Sequence, residues 1–339
     1  MKSLIFSDIH ANNFKEFSTF AGTVNSRLLD QLIVLEEIYQ SAKEYNVDEV
    51  KFLGDLMHLK NNLDSQVIKL VMRKIISLAE EFKLIMIPGN HDYRLWTSEP
   101  VILELIHEYS QKGKVIREPG WYDNIYIEPY TRKVQEQTER LKNLQVTNDN
   151  AIFLGHQDIV GVKYYGFLVT EGLDATILKD KFKWSFVGHC HEPFQIRERV
   201  ISVGAPLQHS FNDAGGERDW WILDGDKLEF IVNRFSPKFF DITVDEDETI
   251  LSKVKPDVDH LLADLEKDFF RVNVIGIQPP KDLDLLRWRR VSYAPKSSKK
   301  IRTELKFSDS YESIIEKYVD ARCGSLDKTK LVEIGRKYL

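Results

Sequence analysis

The sequence predicts an α/β protein: strands flanked by helices over residues 1–235, a small α/β unit over 236–303, and a helical tail over 304–339. Three observations predict it. Short apolar runs of strand length recur, each ending abruptly in a polar residue of metal-ligand type. Helical periods lie between the early runs. Past Val187 the pattern changes to hairpin-like strands, and past Ser236-Pro237 to a shorter mixed unit.

The runs come first. Lys2–Phe6 leads into Asp8-Ile9-His10, Val50–Leu53 into Gly54-Asp55, and Leu84–Ile87 into Pro88-Gly89-Asn90-His91-Asp92. Ala151–Leu154 leads into Gly155-His156, and Trp184–Val187 into Gly188-His189-Cys190-His191. Each has the length and the β-branched or aromatic content of a strand. Glycine ahead of the ligand lets the backbone turn sharply. The expectation is that one sheet edge collects all five ligand groups. An extended backbone, where residues i and i+2 share a side, would aim Asp8 with His10 and His189 with His191.

Helical spacing places Leu28, Leu32, Leu35, Ile38 and Ala42 on one stripe of residues 28–45. A wider stripe of Val67, Val71, Ile75, Leu78 and Phe82 lies on residues 67–82. A stripe that wide packs between layers or meets a second subunit. It is therefore a candidate homodimer face, together with Val101–Ile106. Asp224-Gly225-Asp226 reads as a tight turn between the strands Trp220–Leu223 and Leu228–Val232. Beyond Ser236 follow a strand (Phe239–Val244), an acidic helix (Thr249–Phe269) and another strand (Phe270–Ile275).

The stretch Arg287–Arg302 carries Arg287, Arg289, Arg290, Lys296, Lys299, Lys300 and Arg302 with no acidic residue, and Trp288 and Tyr293 are interleaved. It is either a solvated face or a phosphate-tracking surface. The tail places Tyr311, Ile315, Tyr318 and Val319, then Leu331, Ile334 and Tyr338, at helical spacing, two faces suited to a partner.

Composition narrows the class. The net charge of -6 argues against a wholly electrostatic nucleic-acid binder, though not against a local basic patch. The longest apolar runs fall far short of the ~20 residues a membrane-spanning helix needs. The N-terminus reads as a first strand rather than a signal peptide. Cys190 and Cys323 are the only cysteines, which predicts no disulfide framework and a reducing, cytoplasmic setting.

The ligand types point to phosphoester chemistry. Hydrolysis of a phosphodiester needs a strong nucleophile at neutral pH and relief of charge on the phosphoryl oxygens. Two metal ions ~3.5–4 Å apart supply both. Asp8, His10, Asp55, Asn90, His156, His189 and His191 offer the mixed nitrogen and oxygen donors. His91 is spare. It suits protonation of the leaving oxygen, with Asp92 placed to hold its tautomer and His58 nearby.

These blocks resemble the calcineurin-like metallophosphoesterase superfamily, whose pattern D-x-H, G-D, G-N-H-[DE], G-H, G-H-x-H stands here in full. The resemblance implies a β-sandwich flanked by helices. It implies Asp8, His10, Asp55 and His191 around one metal, and Asp55, Asn90, His156 and His189 around the other. Within the superfamily the chain is similar to SbcD-type DNA nuclease subunits. Gly54-Asp55-Leu56-Met57-His58 resembles their G-D-x-x-H block. Val203-Gly204-Ala205-Pro206, His209-Ser210-Phe211 and Trp220-Trp221-Ile222-Leu223-Asp224 resemble the block closing their nuclease domain. That resemblance implies Mn²⁺ and a DNA exo- or endonuclease working in repair or recombination. It also implies a tail that docks an SMC-like ATPase of SbcC type, in the nucleoid of a bacterial or phage-infected cell. The alternatives are a small-molecule or protein phosphatase of the same fold, or a nuclease-idle scaffold subunit.

Overall fold

The computed structural model describes residues 1–22, 24–58, 60, 64–93, 101–164, 167–245, 248–254, 264, 266–276, 278–294, 315–317, 319–320 and 327–336. Two six-stranded sheets dominate it. The first runs in the order Lys227–Val232, Asp219–Asp224, Lys2–Phe6, Glu49–Phe52, Lys83–Met86, Gly113–Val115. Its last four strands are parallel, and Asp219–Asp224 lies antiparallel to Lys2–Phe6. The second runs Phe194–Arg197, Val200–Ser202, Trp184–Gly188, Ile152–His156, Ile125–Glu128, Gly120–Tyr122, with its four central strands parallel.

Alternating side chains divide the core into layers, as a period of two requires. Ile5, Ile85, Ile127, Leu154, Phe186 and Trp221 fill the space between the sheets. Leu4, Phe6, Val50, Phe52 and Leu84 face the other way, onto helices Ser26–Glu44, Ser65–Glu81 and Val101–Tyr109. Tyr126, Phe153 and Val187 of the second sheet are buried with Leu141 of Val134–Asn143 and Leu178 of Ala175–Lys181. The chain is thus a two-sheet sandwich with helices outside it, as expected.

Helix Ser65–Glu81 is started by Asp64, whose side chain accepts from Gln66 N, the N-cap arrangement that satisfies an orphan donor. Its wide apolar stripe is used inside the chain. Val71, Ile75, Leu78 and Ala79 are fully buried against the neighbouring helices and the sheet. This corrects the reading of that face as a dimer surface: Val71 and Ile75 have nothing left to offer a second copy.

The tight turn at Gly225-Asp226 closes the Asp219–Asp224/Lys227–Val232 hairpin in register. After Ser236 comes a third sheet of three parallel strands, Phe239–Asp245, Phe269–Ile275 and Trp288–Ala294, with its own apolar cluster around Val244, Phe270, Val272 and Leu286. The acidic helix is shorter than its sequence suggests. Helix Ile250–Val254 is described, residues 255–263 lie outside the described residues, and Phe269 already belongs to a strand.

An aromatic knot of Phe211, Phe239 and Phe269, with Phe17 and Trp288 packed on it, ties the third sheet to the sandwich. The buried Arg27 guanidinium lies 4.9–5.1 Å from the ring centroids of Phe14, Phe239 and Phe269, within cation–π range. Among the described residues no helix is long and apolar enough to cross a membrane.

Candidate metal centre

The parallel strands of both sheets end at the same side, and the predicted ligands gather there. This corrects the expectation of a single sheet edge. Asp8, His10, Asp55 and Asn90 follow strands of the first sheet, whereas His156, His189 and His191 come from the second. The pairing of Asp8 with His10 also has a different cause from the one expected. Asp8 (φ 54°), His10 (φ 45°), Asp55 (φ 61°) and His189 (φ 95°) all lie in the left-handed region rather than in extended chain. The backbone is held there by Asp8 N and His10 N, which donate to Gly54 O and Asp55 O at 2.9 and 3.0 Å. Glycine is required beside them. A Cβ on Gly54 would stand 2.5 Å from Gly89 N, and one on Gly89 would stand 2.3 Å from Asp55 Oδ1.

Two donor clusters result, Asp8/His10/His191 and Asp55/His156/His189. They meet at Asp55. Its Oδ2 lies 3.4 Å from His10 Nε2 and 3.5 Å from His156 Nε2. Its Oδ1 instead accepts from His91 N at 2.7 Å. One carboxylate oxygen, not one on each side, therefore faces both clusters. Asn90 Oδ1 lies 3.2 Å from His156 Nε2 and 2.9 Å from His189 Nδ1. His191 Nε2 and His10 Nε2 face each other at 3.1 Å.

Such an arrangement fits divalent cations. The Asp8 Oδ1 is buried and has no hydrogen-bond partner. His156 Nδ1 lies 2.5 Å from Leu53 O, so it must carry the hydrogen, and its Nε2 lone pair is aimed at Asn90 and Asp55. Lone pairs converging on lone pairs need a cation between them. The neighbouring carboxylates draw positive charge to the same place. Burial opposes charge on His156, but the carboxylates of Asp55 and Asp8 outweigh it and raise its pKa to about 9. Burial likewise pushes the Asp8 carboxyl up, and the His10 imidazole beside it and the charge of His156 bring it down to about 2. The nitrogen and oxygen donor set suits first-row divalent ions.

Around the ligands stand residues that fix them. His91 Nδ1 lies 2.5 Å from His58 O and so donates to it. This corrects the role expected of Asp92, which does not hold the His91 tautomer. The Asp92 carboxylate instead accepts from Asp55 N (2.7 Å), Leu56 N (3.0 Å) and Gly89 N (2.8 Å), stapling two ligand-bearing loops together. His58 does reach the site, with its ring centroid 5.7 Å from that of His10. Burial and neighbouring imidazoles lower its pKa to about 4.

Two residues beside the ligands were given no role at the site from the sequence: Asp213 was not named, and His209 was named only as part of a family block. Asp213 Oδ1 lies 3.1 Å from His191 Nδ1, while its Oδ2 accepts from His209 N and Ser210 N at 3.1 and 3.0 Å. His209 Nε2 lies 3.0 Å from Asp8 O and donates to it. The signal for Asp213 was Ser210-x-x-Asp213, a capping box that the structure forms. Asp213→Ala should weaken metal binding by about 10- to 100-fold, as loss of a carboxylate orienting a ligating imidazole does elsewhere. Titration with Mn²⁺ against the unmutated chain checks this, and an unchanged affinity would mean that His191 is held by other contacts.

The basic stretch is less positive in space than in sequence. Arg289 pairs with Asp284 at 2.7 Å, Arg287 lies 3.9 Å from Glu266, and Arg290 pairs with Glu16. Lys296, Lys299, Lys300 and Arg302 lie outside the described residues, as do Tyr311, Tyr318 and Tyr338. Of the tail residues described, Val319 is buried, Ile315 and Leu331 are half-buried, and Ile334 is exposed. The tail face is therefore partly covered by the chain itself.

Comparison with known proteins places the chain among phosphoesterases. Over 189 residues the chain is 24% identical to exonuclease subunit 1 of Enterobacteria phage T4. That alignment takes in 53% of this chain and 54% of the phage protein, so only about half of the relative's length is spanned. Among solved structures it is similar to Yfce, a phosphoesterase from E. coli, at 15% identity and a TM-score of 0.33, covering 67% of this chain and 91% of that one. It is also similar to a dimetal phosphatase from Danio rerio, at 10% identity and a TM-score of 0.42, covering 68% and 95%. Residues 1–193 match the model for calcineurin-like phosphoesterases. The match takes in more than half of the 339 residues and all seven predicted ligands, and the chain belongs to the calcineurin-like phosphoesterase family.

Proposed function

We propose that this chain is a Mn²⁺-dependent DNA nuclease subunit that cleaves phosphodiesters at a two-ion centre. The observation that carries the chemistry is the meeting of two imidazole–carboxylate clusters at Asp55 Oδ2, on the floor of a cavity of about 520 Å³. The likeness to a phage exonuclease subunit turns that chemistry towards DNA.

In this reading Asp8, His10, Asp55 and His191 hold one ion, and Asp55, Asn90, His156 and His189 hold the other. Divalent ions held there would supply Lewis acidity towards the phosphoryl oxygens and a nucleophile from water at neutral pH. The chain's own groups do the rest. With Nδ1–H committed to the His58 carbonyl, His91 has Nε2 left for the cavity it lines. Protonated there, it gives its hydrogen to the ester oxygen as the P–O bond breaks. Asp92 keeps the Asp55 and Gly89 loops in fixed register, and Asp213 keeps the His191 ring aimed.

The same reading assigns residues 1–235 to the nuclease unit, 236–303 to a capping unit that contacts DNA, and 304–339 to docking on an SMC-like ATPase. Loss of ATPase co-purification on removing 304–339 is the expected result for the last of these. Homodimerisation in this reading uses a surface other than the buried Val71, Ile75 and Leu78 stripe.

The direct test is Mn²⁺-dependent degradation of labelled linear duplex DNA, run beside bis-p-nitrophenyl phosphate. Cleavage of both is expected, with loss of both on chelation. Turnover of the chromogenic diester with intact DNA would return the chain to the small-molecule phosphoesterases.

A further inference from the structure

The cavity over the metal centre is not lined by imidazoles alone. Phe14, Lys15, Phe211 and Phe239 form part of its wall. Two of these phenylalanines have another task, since Phe211 and Phe239 are buried in the aromatic knot beneath the third sheet. Phe14 is different. It belongs to none of the apolar clusters of the described residues and is only half-buried.

Its position is nonetheless fixed. The Phe14 carbonyl accepts from Asn25 Nδ2 at 2.5 Å, and Asn13 beside it donates to Asp64 Oδ2 at 3.0 Å and accepts from Asn25 N at 3.2 Å. The Phe14 ring centroid lies 4.9 Å from that of His58. His58 in turn shares a cluster with His10 and His91, with donor atoms within 4.8 Å of one another. Lys15 follows, exposed, and its ammonium makes no ion pair among the described residues. Its neighbour Glu16 is already paired with Arg290.

A large ring that is backed by the Arg27 guanidinium, 4.9 Å from its centroid, and lines the cavity of a phosphoester site is suited to a planar group. A free ammonium beside it is suited to an anion. Those are the two halves of a nucleotide. We propose that Phe14 selects the substrate of this centre: its ring stacks on the nucleobase next to the phosphate being cleaved, while the Lys15 ammonium takes a neighbouring phosphate. The inference rests on the reading of the site as one that places a nucleic-acid phosphodiester at the metals. Base–aromatic stacking tolerates any sequence because every base has a π face, so Phe14 gives preference for nucleotides over other phosphoesters without preference among bases.

The test uses the full chain with Mn²⁺ and three variants, Phe14→Ala, Phe14→Leu and Phe14→Trp. Substrates are a short single-stranded oligothymidylate, the same strand with abasic tetrahydrofuran residues throughout, and thymidine 5′-monophosphate. The unmutated chain should favour the base-bearing strand by about 5- to 150-fold in kcat/KM, the range that stacking one base supplies, with the difference lying in KM. Phe14→Ala should bring that ratio to about one. Phe14→Leu guards against a folding loss, because it keeps apolar volume without a π face and should lose the ratio equally. Phe14→Trp should keep it. If the unmutated chain cuts both strands equally, or Phe14→Ala keeps the ratio, the inference falls and the nuclease reading stands. If Phe14-dependent turnover appears with the mononucleotide while both strands stay intact, the nucleobase contact stands and the nuclease reading falls.

Discussion

Asp55→Asn should lower phosphodiester hydrolysis by about 10³-fold or more and remove bound metal with it. The amide is nearly the same shape as the carboxylate, so the expected loss is chemical. Asp55 uses both oxygens, Oδ1 for the His91 main-chain N–H and Oδ2 between His10 and His156. An amide has one oxygen. If it keeps the bond from His91, an NH₂ group with two hydrogens points at the place where lone pairs converge. If it flips, the NH₂ group meets the His91 N–H instead. Either orientation puts a donor where an acceptor is needed. Elemental analysis of the purified variant, beside its rate on bis-p-nitrophenyl phosphate, is the measurement. A variant with full metal content and rate would show that Asp55 does not hold metal.

His91→Ala should cost about 10²- to 10⁴-fold in rate, the range of general acid–base groups, while leaving metal content unchanged. The structure sets up a real alternative, because His91 lies with His10 and His58 in a third cluster of nitrogen donors. A ligand role and a proton-donor role predict different things about metal. Geometry favours the proton donor. Six of the other donors already form two clusters, with Asn90 Oδ1 between His156 and His189, and His91 is carried by a turn whose own N–H is committed to Asp55. Metal loss from His91→Ala, in proportion to the lost rate, would make it a ligand.

Much of this centre was legible in the sequence because its causes are local. Apolar runs of strand length ending at glycine and a ligand need no knowledge of the fold, and all seven predicted ligands come together. What was missed depends on distant pairings. Asp92 accepts from the main chain of residues 55 and 56, some 36–37 positions away. Nothing in the string Asn90-His91-Asp92 distinguishes that from a contact with its neighbour's ring. The charge of the Arg287–Arg302 stretch looked unbalanced because one of its counter-ions, Glu16, lies 274 positions earlier. The apolar stripe of Ser65–Glu81 reads identically whether its cover is another helix of the same chain or a second copy. The wide face is explained by the two helices and the sheet that surround it, none of which the stripe itself encodes.

The backbone at Asp8, His10, Asp55 and His189 has a consequence for how this protein changes over generations. Each sits at a positive φ between 45° and 95°, a region that costs a side-chain-bearing residue on the order of 1 kcal/mol and costs glycine almost nothing. Selection for abundance and selection for turnover therefore pull apart at these four positions. A random library sorted for soluble yield should enrich glycine at them, and the same library sorted for hydrolysis should purge it. A lineage released from the need for catalysis would drift first where the ligands stand, losing its chemistry while its fold improved.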